Sequence, residues 1–76
     1  MDIDTQKEAF EVYQIGANIG DTTSMRNLAL AYQNGFGVPK DYAKAREWFE
    51  KAAAKGDADA KMALERLSAG GPSAPR

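Results

Sequence analysis

Shifted by 36 positions, this chain of 76 residues falls on itself. Ala9 meets Ala45, Glu11 meets Glu47, Ala17 meets Ala53, and Leu28 meets Leu64. Gly20-Asp21 meets Gly56-Asp57, and Gly35 meets Gly71. Similar residues also pair: Val12 with Trp48, Tyr13 with Phe49, Gly16 with Ala52, Ser24 with Ala60. A period of this length marks stacked supersecondary units, each too small to bury its own apolar face and each leaning on its neighbours. At 76 residues the chain is one domain at most.

Glycines and caps divide it into four helices. Thr5, with Glu8 three residues on, reads as a capping box opening a first helix over about Gln6–Asn18, which Gly20 stops. Asp21 or Thr22 caps a second, about Thr23–Asn34, ended by the Gly35-Phe36-Gly37 turn, and Pro39 bars continuation. Asp41, aligned with Thr5, caps a third over Tyr42–Lys55, and Asp57 opens a fourth over Ala58–Ala69. The helical domain is expected over 1–69 and a disordered C-terminal tail over 70–76, where no large apolar residue offers an anchor.

Apolar spacing selects helix over strand. Ser24, Leu28, Ala31 and Tyr32 share one face of the second helix, and Ala45, Trp48, Phe49, Ala52 and Ala53 one face of the third. Many of these are alanines, which let helix axes approach closely while the aromatics fill the gaps. Short loops make neighbouring helices antiparallel. The expected fold is therefore all-α, a superhelix of about four antiparallel helices.

Composition removes several function classes. The chain has no histidine and no cysteine, hence neither the commonest general base nor a thiolate ligand or disulfide. Ten basic against eleven acidic residues give no electrostatic case for nucleic acid or an anionic membrane. No apolar stretch is long enough for a membrane helix, and the Met1-Asp2-Ile3-Asp4 start lacks the basic and apolar regions of a secretory signal, so a cytoplasmic place is the default expectation. Gly35-Phe36-Gly37 lacks the following Lys-Ser/Thr of a phosphate loop. Asp57 and Asp59 read as capping residues more readily than as a metal pair. No cofactor and no metal site is expected.

The spaced residues Gly35-x-Gly37-Val38, Asp41, Ala45, Trp48-Phe49, Lys51-Ala52-Ala53 and Gly56, preceded by Leu28-Ala29 and Tyr32, resemble the Sel-one-like repeat, a relative of the tetratricopeptide repeat. The resemblance covers one full repeat, about Thr22–Asp57, and leaves the flanks as two half repeats. Ala29 stands where that family favours glycine, and Glu65 and Ser68 where glycine and an aromatic are expected. Charge at a close-packing position makes the last helix a polar cap. The resemblance implies a non-catalytic scaffold that holds a protein or peptide partner on a concave face lined by the first helix of each repeat. Some cysteine-rich members have been linked to β-lactam binding, so a small ligand-binding or hydrolytic protein is the rival reading. It is weakened here by the missing cysteines and the missing nucleophile–base pair.

Two surfaces are candidates. Arg26, Leu30 and Gln33 project opposite Leu28, flanked by Thr23 and Asn34, and the repeat shift brings Met62 beside Arg26 and Arg66 beside Leu30. These five would form a mixed patch suited to a short peptide with an apolar anchor and a carboxylate. In the first helix Phe10, Ile15 and Ile19 fall on Arg46, Lys51 and Lys55 of the complete repeat. Apolar residues at positions that are charged there predict self-association as a weak homodimer, a contact with a missing neighbouring repeat, or local burial aided by Ile3.

Overall fold

The computed structural model describes residues 4–68. Four helices follow one another: α1 (Thr5–Asn18), α2 (Thr22–Asn34), α3 (Tyr42–Ala54) and α4 (Ala58–Ser68). Each packs on the next, α1 on α2, α2 on α3 and α3 on α4, the stacking of an all-α helical repeat. Position 69 and the segment expected as a tail, 70–76, lie outside the described residues, as does Ile3.

The two short turns repeat in backbone detail. Ile19 and Lys55 end α1 and α3 with φ/ψ of −92/5° and −91/4°. The glycines that follow take φ of 95° at Gly20 and 98° at Gly56, a left-handed conformation that a Cβ resists. Asp21 N–H then donates to the Gly16 carbonyl and Asp57 N–H to the Ala52 carbonyl, again 36 positions apart. The sequence period is thus a geometric one.

Aspartates open all three of the first helices. Asp4, Asp21 and Asp41 each accept from the backbone N–H three residues on, at 3.1, 2.9 and 3.0 Å. Asp57 does the same for α4, accepting from Ala60 N–H at 2.9 Å. The first cap corrects the sequence reading: Asp4, not Thr5, caps α1, and Thr5 is already helical. Both residue types cap well, but Asp4 adds a full negative charge at the positive end of the helix dipole. α3 also stops at Ala54, with Lys55 as its C-cap.

The core is built from small residues around two large ones. Leu28 and Phe49 are each 1% exposed, and Ala29, Ala45, Ala52 and Ala60 are fully buried. The buried face of α2 takes in Met25 and Ala29 besides Leu28 and Ala31, while Ser24 and Tyr32 stay half-buried. It is wider than one stripe because α2 is packed on both sides, by α1 and by α3. Trp48 and Ala53 likewise sit at the edge of the core.

At the α1–α2 crossing the axes come close because Gly16 has no side chain. A Cβ there would lie 2.6 Å from Ser24 Cβ and closer still to its hydroxyl. The equivalent pair at the α3–α4 crossing is Ala52 with Ala60, so glycine plus serine takes the place of alanine plus alanine. Between α2 and α3 the chain turns through Gly35 (φ 71°) and Gly37 (φ 77°), and Gly37 presses on α1. A Cβ on Gly37 would lie 2.7 Å from the Gln6 carbonyl carbon, so this turn also locks the start of α1.

Candidate functional site

The site is assembled by two helices that are not neighbours in the stack. α2 contributes Arg26 and Leu30, α4 contributes Met62 and Arg66, and all four line a single hollow of about 210 Å³. Phe49 of α3 and Ala63, both buried, also line it beneath them. Leu30 and Met62, at 38% and 53% exposed, keep much of their apolar surface in water. The fifth expected residue, Gln33, is half-buried and does not line this hollow.

Asp59 completes the lining, a residue that sequence reasoning read only as a capping candidate. Asp59, Met62, Ala63 and Arg66 stand at i, i+3, i+4 and i+7 of α4, hence on one face about 10 Å long. The order along it is acid, apolar, apolar, base. Spacing alone would have placed Asp59 with Met62 and Arg66.

Arg26 has a different part from the one its exposure in sequence suggested. Its Nη1 donates to Asp57 Oδ2 at 2.6 Å and lies 3.9 Å from Asp59. The Asp57 side chain is only 7% exposed, and its other oxygen accepts the capping bond from Ala60. That backbone bond and the Arg26 guanidinium, against the cost of burial, hold the Asp57 carboxyl below the ordinary carboxylate value of 3.8. Arg26 is therefore a clasp between α2 and the start of α4, whereas Arg66 has no acidic partner among the described residues.

A second hollow, about 170 Å³, lies on the far side of Leu30 and is lined by Tyr13, Asn27, Ala31, Asn34 and Phe36. Leu30 is thus the ridge between two depressions. Asn34 is the flank of Leu30 expected from helical spacing, whereas Asn27 and Phe36 escaped the sequence reading, since helical phase does not reveal where a loop aromatic will fold back.

The first-helix candidates divide. Phe10 is buried at 8% exposure, its ring edge-on to Tyr32 with centroids 5.4 Å apart at 89°. It belongs to the core, so of the readings open for this strip local burial applies to Phe10. Ile15 and Ile19 remain out at 65% and 80%, joined by Val12 at 62%. The reason lies in α1 packing against α2, which brings Tyr32 under Phe10 but reaches neither isoleucine. On the equivalent strip of α3, Lys51 sets its ammonium 4.3 Å from the Trp48 ring centroid.

Residues 22–57 match the Sel1 repeat family. The chain is also similar to the DAP3-binding cell death enhancer 1 of Rattus norvegicus, 34% identical over 74 residues. That alignment takes in 93% of this chain and 14% of the relative, so the chain spans about a seventh of that protein's length. No solved structure matches the chain.

Proposed function

From the premise that residues 22–57 are a Sel1 repeat, we propose that the chain is a non-catalytic interaction module that holds a peptide segment of a partner protein in the hollow between α2 and α4. Proteins with Sel1 repeats generally serve as interaction scaffolds, and the rat relative's name describes a binding protein. The observation that carries the reading is the meeting of Arg26, Leu30, Met62 and Arg66 around one depression with a buried aromatic beneath it. An apolar side chain of the partner sits between Leu30 and Met62, and a neighbouring carboxylate reaches Arg66, which has no acidic partner among the described residues. Met62 adapts to the anchor's shape through its unbranched chain.

The rival, a small hydrolytic or ligand-binding protein, has less to support it. The sequence lacks histidine and cysteine, and the hollow offers a carboxylate and two guanidinium groups but no nucleophile beside a base.

The test is peptide selection from a random library on the immobilised full chain. Selected peptides should share an apolar residue with an acidic neighbour, and Leu30→Asp should weaken their binding at least about tenfold, the loss of one apolar anchor. Unchanged binding to Leu30→Asp would remove the hollow from the account.

A further inference from the structure

The hollow between α2 and α4 has unlike ends. Asp59 and Arg66 stand at i and i+7 of α4, about 10 Å apart along the helix, with Met62 and Ala63 between them. At the Asp59 end the charges do not cancel. Arg26 Nη1 is bonded to Asp57 at 2.6 Å, and Asp59 Oδ2 lies 3.9 Å from that same nitrogen, beyond hydrogen-bond range. Two carboxylates thus share one guanidinium, and one negative charge is left over. It sits on Asp59, whose side chain is 72% exposed against 7% for Asp57. At the other end Arg66 brings one positive charge with no acidic partner among the described residues.

Helix electrostatics does not account for this placement. An acid in the first turn of α4 and a base in the last both offset the helix dipole, but they would do so from any face. Both stand on the face that lines the hollow, whereas Lys61 and Glu65, the other charged residues of α4, are exposed and do not line it. The pattern is also confined to this hollow. The second one, beyond Leu30, has no charged side chain in its lining. One period earlier, the α2 residues that correspond to Asp59 and Arg66 are Thr23 and Leu30, both uncharged.

We propose that the partner segment is zwitterionic, with a lysine or arginine against Asp59 and an aspartate or glutamate against Arg66, one on each side of the apolar anchor. This rests on the reading of the hollow as a peptide site and adds the second charge and its place. The two ends are separated by more than the roughly 8 Å screening length of physiological salt, so each selects its own counter-charge. A segment acidic at both ends would set like charge against Asp59. Alternate residues of an extended segment face one way, so base, anchor and acid follow at every second residue and span about 13 Å. That exceeds the distance along α4, and the long side chains of Arg66 and of the partner's base cover the difference.

The test repeats the peptide selection on three immobilised full chains: the natural one, Asp59→Asn and Arg66→Gln. Selected sequences are remade with blocked termini, so that terminal charges take no part. Both substitutions fall on exposed side chains, and melting within about 3 °C of the natural chain checks that each variant is folded. On the natural chain, selected peptides should carry a base and an acid flanking the apolar residue. On Asp59→Asn the base should disappear and the acid stay, and on Arg66→Gln the reverse. In titrations with one selected peptide, neutralising its base should weaken binding about two- to fivefold on the natural chain, the size of an exposed ion pair, and leave binding to Asp59→Asn unchanged. Neutralising its acid should still weaken binding to Asp59→Asn. Peptides with an apolar residue and an acid but no enriched base would overturn the zwitterion while leaving the hollow as the site. So would a base whose loss costs as much on Asp59→Asn as on the natural chain. Binding indifferent to Leu30→Asp would remove the hollow itself, and this inference with it.

Discussion

Gly37 and Gly56 have nearly opposite surroundings behind the same left-handed backbone. At Gly56 a Cβ would meet nothing within 4 Å, while at Gly37 it would run into the Gln6 backbone. Gly56→Ala should therefore cost only the conformational term, about 1–2 kcal/mol. Gly37→Ala should cost at least about 1–3 kcal/mol more, because backbone cannot step aside as a side chain can. Urea unfolding of the two variants measures the difference, and equal losses would show that the turn does not press on α1. The positive φ at these glycines was legible in sequence from their place after a helix. The contact at Gly37 was not, since it joins residues 31 positions apart through a loop whose path no periodicity records. The same holds for Phe10: its helical phase matches Arg46, and only the Tyr32 ring under it decides that it is core.

Between elements, the crossings make a sharper statement. If Gly16/Ser24 at α1–α2 and Ala52/Ala60 at α3–α4 are equivalent solutions to one spacing, the volumes should be exchangeable. Gly16→Ala alone should cost about 1–3 kcal/mol by overpacking against Ser24. Adding Ser24→Ala should recover most of that loss, less the hydroxyl bond to Asp21. A double variant no more stable than Gly16→Ala would mean that the two crossings are not alike.

The clasp is tested by acid. The folded Asp57 carboxyl lies below its ordinary value of 3.8, so the folded state binds fewer protons than the unfolded chain in that range. Its contribution is full above about pH 4 and is lost as pH falls through the depressed value. Asp57→Asn keeps a capping side chain but gives up the ion pair, and should cost about 1 kcal/mol at neutral pH. Asp57→Ala should cost about 1 kcal/mol more by removing the cap as well. Once pH has fallen through the depressed value the wild type and Asp57→Asn should converge, and denaturant midpoints read from neutral pH down into the acid range would expose any failure to do so. The cap itself was legible as a Gly-Asp step. Its arginine was not, because a residue that looks free on the strip of α2 shared with Leu30 is claimed by a turn one repeat later.

At the scale of the molecule, the small-residue core explains how so short a chain keeps four helices together, and the repeat explains why residues of α2 and α4 meet around one hollow. Four of the five residues expected on that side line the hollow, since a 36-residue shift carries one helix face onto the next without needing any loop. Gln33 falls outside it because the hollow turns toward Asp59, at the start of α4. A partner peptide bound in this hollow should perturb the backbone that surrounds it. Amide chemical-shift mapping of the labelled full chain, titrated with a library-selected peptide, tests it most directly. Shifts should concentrate at Leu30, Asp59, Met62, Ala63 and Arg66, and Arg66→Ala should weaken binding several-fold. Shifts confined to the outer charged face around Lys44, Glu47 and Lys51 of α3, with binding indifferent to Arg66→Ala, would contradict it.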